Sequence, residues 1–238
     1  MLSVFIVDEL PREGEVSIVG DEAHHASAVV RIKEGDELLV TDGRGSSAHV
    51  RVLSSTKKIV RCEVLSREMA HANPTKFIVV QALTKGDRAR ETIELLTEAG
   101  VDVIVPWTAQ RSVGQWKDDT HSKWQSWARE ATKQSRRVWI PEVAQLHSTA
   151  SVAQLIDSHS CALVFHESSA VKLSQLLQGK LHTEVIIIIG PEGGLDEHEL
   201  DAFVSAGGTV VGMGKPVFRS AHAGAVALAA VQTALGIW

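Results

Sequence analysis

The chain has 238 residues, 44% of them apolar and 22% charged, and carries a formal net charge of −5. That composition excludes a disordered chain, and the length suits a small domain followed by a medium one. No segment reaches the roughly 18 apolar residues of a membrane span, and the acidic start has no basic leader pattern, so a cytoplasmic protein without a membrane partner is expected.

Residues 1–72 read as a small β-rich domain. Strands are predicted at 4–7, 15–19, 37–41, 48–53 and 59–65, with turn signals between them. Asp42-Gly43 ahead of Arg44-Gly45 marks a tight hairpin, and the alternation from Ala48 to Val52 puts polar groups on one sheet face. His24 and His25 are adjacent, so they point in different directions, and no third ligand sits at a telling spacing; no metal is expected. Cys62 and Cys161 fall in apolar runs with no metal-ligand or disulfide pattern, and are read as buried, reduced thiols.

The polar stretch His71-Ala72-Asn73-Pro74 is the predicted domain boundary. Beyond it, continuous apolar runs at 77–83, 101–105, 162–165, 185–189 and 209–211 read as strands buried on both faces. Helices are predicted between and after them at 88–99, 120–136, 151–157, 171–177, 197–206 and 221–235. This alternation implies an α/β fold around a mainly parallel sheet, which binds ligands at the carboxyl ends of its strands.

The negative total hides a local basic excess. From Arg111 to Trp139, seven basic residues (Arg111, Lys117, Lys123, Arg129, Lys133, Arg136, Arg137) face three acidic ones and interleave with Trp116, Trp124, Trp127 and Trp139. Such a patch can grip phosphates and stack bases; it can equally be an amphipathic helix with a solvated basic face and tryptophans in the core.

Three turns follow the last three strands: 165–169, 190–194 and 212–219. In the second, Val185–Ile189 runs straight into Gly190-Pro191-Glu192-Gly193-Gly194, whose bare backbone lets a ligand come close. Asp196 with Glu199 forms a capping-box pattern for the helix that follows. A glycine turn before a helix usually attracts phosphate, but Glu192, Asp196 and Glu197 crowd this one with negative charge. It better suits a ligand with hydroxyls, amides and a positive centre, such as adenosine joined to a sulfonium. Phosphate-loop, dinucleotide, serine-hydrolase and zinc-helix motifs are all missing, and Ser220-Ala221-His222 has no recognisable triad partner.

Taken in order, these residues resemble the RsmE family of SPOUT methyltransferases. The resemblance rests on Ile188 to Leu195, Gly214 to Arg219 and the alanine-rich last helix, with further matches at His25, Val30-Arg31, Asp42-Gly43, Lys85-Gly86-Asp87, Glu98 to Val101 and Gln110 to Ser112. Glu130-Ala131, Gln134-Ser135, Arg137 and Pro141-Glu142-Val143 complete the series. It implies a PUA-like, RNA-binding β-barrel at 1–72 and, at 73–238, a SPOUT α/β domain closed by a deep C-terminal trefoil knot. It further implies a homodimer that uses S-adenosylmethionine to methylate N3 of uridine 1498 in 16S ribosomal RNA of the small ribosomal subunit.

By the same resemblance the cofactor lies against Phe165, His166, Glu167, Gly190, Pro191, Glu192, Gly193, Gly194, Met213, Gly214, Val217, Phe218, Arg219 and Ala223. RNA contacts are expected from Arg31, Lys85, Arg88, Arg111, Arg129, Arg136 and Arg137, and close helix packing from Ala223, Gly224, Ala227 and Ala230. The chain departs from the family where Ala221 replaces an acidic residue, and at Arg90 and Glu94-Leu95 of the first helix. The uracil N3 proton must leave for methylation to occur, so the reaction needs a base or a group that stabilises the anion. Arg219, always cationic, is the expected stabiliser, and Glu192 the expected proton acceptor ahead of His222 and Glu167. Three other readings compete: a non-catalytic RNA-binding module, a SPOUT methyltransferase with a different RNA target, and a nucleotide-dependent α/β enzyme of another kind, against which the missing phosphate motifs argue.

Overall fold

The computed structural model describes residues 2–156, 161–177 and 182–238. They form two compact units, Met1–Ala72 with Thr132–Ile140, and Asn73–Ala131 with Pro141–Trp238.

The first unit is a curled five-stranded sheet. Strands β1 (Val4–Ile6), β2 (Glu15–Val19), β3 (Glu37–Thr41), β4 (Ser46–Ser55) and β5 (Ile59–Met69) lie in the order β1-β3-β4-β5-β2. β1 pairs parallel to β3, and the remaining pairs are antiparallel. Along β2 and the first half of β4, burial alternates residue by residue, the pattern of a sheet with one face on a core and one towards water. The core side carries Phe5, Ile18, Val40, Val50, Val60 and Cys62. Two register shifts in the long β4–β5 ladder, at His49/Val50 and Val52/Ser54, bend the pair and curl the sheet.

Sequence patterning missed the helix α1 (Gly20–His24) and the π-helical turn His25–Val30 that continues it. The apolar stripe there is only Ala23 and Ala26, too small and short to register as a helical period. His25 lies 6.2 Å, ring to ring, from Phe5, a packing role. Among the described residues, no three His, Cys, Asp or Glu side chains are grouped to hold a metal.

Residues 132–140 join this unit although the sequence division at 72/73 placed them in the second. Gly45 N–H donates to Val138 O at 2.9 Å and Ile140 N–H to Gly43 O at 2.9 Å, so this segment extends the edge of the hairpin. Gly43 and Gly45 hold positive φ angles of 69° and 97°, as the hairpin requires, but they also make room. A Cβ on Gly45 would fall 2.3 Å from the Trp139 ring, and one on Gly43 2.4 Å from Ile140. At the end of α3 (Thr120–Gln134), Lys133 Nζ meets Glu22 Oε1 at 2.9 Å, with both side chains largely buried.

The second unit holds six parallel strands: β6 (Lys76–Ala82), β7 (Val103–Trp107), β8 (Glu142–Val143), β9 (Cys161–Phe165), β10 (Glu184–Ile189) and β11 (Thr209–Val211). Their order is β11-β9-β10-β6-β7-β8. Helices α2 (Asp87–Glu98), α4 (Thr149–Leu155), α5 (Leu173–Leu176), α6 (Glu197–Ser205) and α7 (Ser220–Ala234) connect and cover them. The short β8 had no sequence signal. The fourth helix starts two residues before its predicted 151 because Ser148 and Ser151 form a capping box; Asp157, its predicted end, lies outside the described residues.

Both faces of this sheet are buried. Val79, Leu163, Ile187 and Ile189 pack on one side with Ile93, Leu96, Leu228 and Val231, while Val80, Val164, Ile186 and Ile188 pack on the other with Trp107 and Phe203. Successive isoleucines of β10 therefore point into opposite cores, which is why this strand reads as an unbroken apolar run. α7 comes close enough to β6 and α2 that a Cβ at Gly224 would sit 3.0 Å from Leu96 and 3.1 Å from Gln81. No helix of the described residues is long and apolar enough to cross a membrane.

Candidate active site

At the carboxyl ends of β9, β10 and β11, within the second unit, the three turns singled out by sequence converge on one cavity of about 330 Å³. Volumes of roughly 300–1,000 Å³ suit small-molecule ligands. The first turn contributes Phe165, His166 and Glu167; the second Ile189, Gly190, Pro191, Glu192, Gly194 and Leu195; the third Met213, Gly214, Pro216 to Ser220, and Ala223.

Each turn has a local reason for its shape. In the first, His166 Nδ1 lies 2.8 Å from Ser168 Oγ, and Ser169 Oγ donates to Val210 O at 3.0 Å. A Cβ on Gly212 would fall 2.4 Å from Ser169 O, so glycine is what lets the first and third turns touch. In the second, Gly194 adopts a φ of +75°, and a Cβ on Gly190 would press on Leu195 at 3.0 Å. Ser220, at the start of α7, donates through Oγ to Gly190 O at 2.7 Å and accepts from Gln81 Nε2 at 3.1 Å. That pair ties the second turn to the last helix and to β6.

The helix after the second turn is capped as its sequence predicts. His198 N–H donates to Asp196 Oδ1 at 2.9 Å, and Asp196 N–H to Glu199 Oε2 at 2.9 Å. Glu199 is almost fully buried, and its other oxygen accepts Gln110 N–H at 2.7 Å. A buried carboxylate so supplied with donors is a structural clamp, here between α6 and the segment after β7.

The carboxylates around the glycine turn are not bare. Glu192 Oε1 lies 3.9 Å from the Arg88 guanidinium, and Asp196 Oδ2 lies 3.9 Å from that of Arg111. Arg111 also donates to Gly193 O at 3.0 Å. A Cβ on Gly193 would sit 3.1 Å from the Arg111 side chain, so Gly193 faces the arginine and is the one expected cofactor residue that does not line the cavity. Ile189, Leu195, Pro216 and Ser220 line it without having been expected. Ile189, Leu195 and Pro216 lie inside the motifs that carry the resemblance but have ordinary apolar side chains, and Ser220 acts through a backbone carbonyl, so nothing marked them as ligand contacts.

Arg219 is exposed at the rim, with no hydrogen-bond or ion-pair partner for its guanidinium among the described residues. Glu192 lines the cavity with a side chain 28% exposed, whereas Glu167 is 58% exposed. His222 points at Glu91 of α2, with Nε2 3.0 Å from Oε1. Ala221, where the family pattern has an acidic residue, is buried in the first turn of α7.

The seven arginines and lysines expected to meet RNA divide between the units. Arg31, with a left-handed φ of 61°, Arg136, also left-handed at 57°, and Arg137 belong to the first. Lys85, Arg88, Arg111 and Arg129 belong to the second, where Arg88 and Arg111 come together on the 190–196 turn. The tryptophans of the basic stretch also divide. Trp124 is core and stacks edge-on with Trp116 at 5.4 Å, Trp127 is half-buried, and Trp139 fills the hairpin edge of the first unit.

A model of an RNA methyltransferase domain matches residues 71–232, and one of an RNA methyltransferase PUA domain matches residues 18–65. The ribosomal RNA small subunit methyltransferase E of Mycobacterium bovis is 36% identical over 99% of this chain and 93% of its own length. That of Bacillus subtilis is 32% identical over 91% of this chain and 89% of its own. The crystal structure of a ribosomal RNA small subunit methyltransferase E from Neisseria gonorrhoeae, bound to S-adenosyl methionine, shares the fold with a TM-score of 0.90, covering 98% of both chains at 24% identity. With a two-part match of this extent, the chain belongs to the RsmE family of RNA methyltransferases.

Proposed function

We propose that this protein transfers the methyl group of S-adenosylmethionine to N3 of uridine 1498 in 16S ribosomal RNA, as a cytoplasmic homodimer acting on the small ribosomal subunit. The observation that carries this reading is the cavity at three strand ends with an unpaired arginine on its rim. The lining fits the cofactor: Phe165, Ile189 and Leu195 give an apolar wall, Gly190, Gly194 and Gly214 leave backbone exposed, and Glu167 and Glu192 suit a positive sulfonium. The names of the curated relatives point to ribosomal RNA of the small subunit. In this reading residues 1–72 are the PUA-like RNA-binding domain and 73–238 the SPOUT domain. A trefoil knot is supported by the route of the chain: β11 lies at one edge of the sheet, yet the α7 that follows it packs on α2, β6 and β10. Exposed Val226 and Trp238 offer apolar surface for a second copy.

When bound, S-adenosylmethionine supplies an electrophilic methyl group. Arg219 stays cationic at any ordinary pH, so it is no base; its guanidinium holds a uracil carbonyl and stabilises the charge that grows as N3 loses its proton. Glu192 accepts that proton, held in place by Arg88. With the cofactor held by these turns, the methyl would pass from sulfur to N3 as the N3 proton passes to Glu192, so that the sulfonium charge and the uracil anion would be discharged together. Glu167 is too exposed, and His222 already too engaged with Glu91, for either to serve as well. Labelled methyl transfer to 16S rRNA and to assembled small subunits, with the modified base mapped, tests this. Incorporation at N3 of one uridine is expected; no incorporation into either substrate overturns it.

A further inference from the structure

A second cavity of about 490 Å³ lies in the same unit, at the carboxyl ends of the neighbouring strands β6 and β7. One wall is the 83–86 segment and the start of α2; the other is the 113–120 segment and α3. Gly114 allows the walls to meet, since a Cβ there would fall 2.4 Å from Thr84 O. Three features give this cavity a chemistry. Lys85 and Lys117 bring positive charge to its mouth, whereas Lys123 is engaged by Asp119 at 2.6 Å. Gly86, at the N-cap of the twelve-residue α2, supplies no side-chain cap; Ala89 N–H donates to Gly86 O at 3.1 Å, while the Asp87 and Arg88 amides and the positive end of the helix are left for an anion, against the one carboxylate of Asp87. Trp127 presents an aromatic wall, and beside it Trp124 carries an indole N–H that is buried with no acceptor among the described residues.

Anion-binding groups next to an aromatic face are what a nucleotide requires: phosphate on lysines and helix amides, base on the indole. The position is as telling as the lining. Arg88, in the first turn of the same α2, meets Glu192 on the wall of the first cavity, and β6 pairs with β10 in register, Gln81 beside Ile189. The first turn of α2 therefore borders both cavities, Ala89 lining the second and Arg88 reaching the wall of the first.

We infer that this second cavity binds a nucleotide flanking the methylated one in the same RNA strand. It fixes register and excludes strands that cannot place a base there. This rests on the methyltransferase reading above. The test is steady-state methylation of small subunits by the full chain carrying Lys117→Glu or Trp127→Ala, with S-adenosylmethionine affinity measured separately by calorimetry. Lys76→Glu, at the opposite edge of the sheet, controls for charge alone. Both cavity variants should raise KM for the subunit about tenfold, the scale of one lost base stack or phosphate contact, with cofactor affinity and kcat unchanged. Lys117→Glu alters an exposed side chain, so it reports even if Trp127→Ala weakens the core. Parental KM in both variants overturns the second site while leaving the first intact. A parent chain that binds the cofactor but methylates neither subunits nor free 16S rRNA overturns the methyltransferase reading, and this inference with it.

Discussion

The two sheets of this protein solve burial differently. In the first unit the strands are mostly antiparallel, tight turns join β3 to β4 and β4 to β5, and one face is wet. In the second they are parallel and every residue of β7 is buried; helical connections return the chain, so all the strands end at the same edge. A sheet buried on both faces has no free face to work with, which leaves the strand ends, and both cavities lie there. A half-wet sheet has a surface instead of an edge, and the first unit accordingly contributes exposed groups such as Arg31 and Arg136.

The largest test of this contrast removes the cavity-rim group proposed to stabilise the reacting charge. Arg219→Ala should lower the methylation rate by about two to three orders of magnitude, the scale of losing one transition-state donor. Calorimetry should find S-adenosylmethionine affinity nearly unchanged. Near-parental turnover would remove Arg219 from the reaction. Next is the meeting of two turns: in Gly212→Ala, a Cβ would press on Ser169 O, so the cavity must open. Cofactor affinity should fall about tenfold, on the scale of an overpacked site, with the first unit untouched. Unchanged affinity would mean that the first and third turns are free to part.

Much of the second unit was legible because buried parallel strands write continuous apolar runs: Val185–Ile189 flowing into Gly190 locates a strand, its end and a turn that lines the cavity. The Asp196–Glu199 box was legible for a similar reason, since both partners lie within one helical turn. What stayed hidden depends on distant partners. Nothing local says that Arg111 covers Gly193, that Ser220 holds Gly190, or that Trp139 fills the space over Gly45. The charge argument at the glycine turn was likewise incomplete, because Arg88 and Arg111 stand more than eighty residues from the carboxylates they face. The second cavity had only half a signal, its tryptophans and lysines, with no sign of which were core.

A smaller effect is expected from the first unit's own glycines. Gly45→Ala puts a Cβ on a residue with φ of 97° and into the Trp139 ring. About 1–3 kcal/mol of stability should be lost, from backbone strain and displaced packing. Hydrogen exchange should show the loss in residues 1–72 and 132–140 together, because the segment after α3 is held to this hairpin. Exchange that rises in 1–72 alone would separate the segment from the unit. S-adenosylmethionine affinity should not change, which contrasts with Gly212→Ala.

The smallest effect concerns the buried face of the first sheet. Cys62, on β5, has its thiol pushed up from 9.0 to about 11 by burial alone. The thiolate is the nucleophile, so native protein at pH 8 should alkylate at the half-buried Cys161 first, and at Cys62 only on unfolding. The raised value also fixes the sign of a stability change. Below pH 9 the thiol is neutral in both folded and unfolded chains, and its contribution is fully present. Between 9 and about 11 the unfolded chain releases the proton while the folded one keeps it, so stability falls as pH rises. Cys62→Ala should flatten that part of the profile, despite a small packing loss at every pH. An unaltered alkaline slope would show that the wet side of this sheet, and not its buried thiol, governs its response to base.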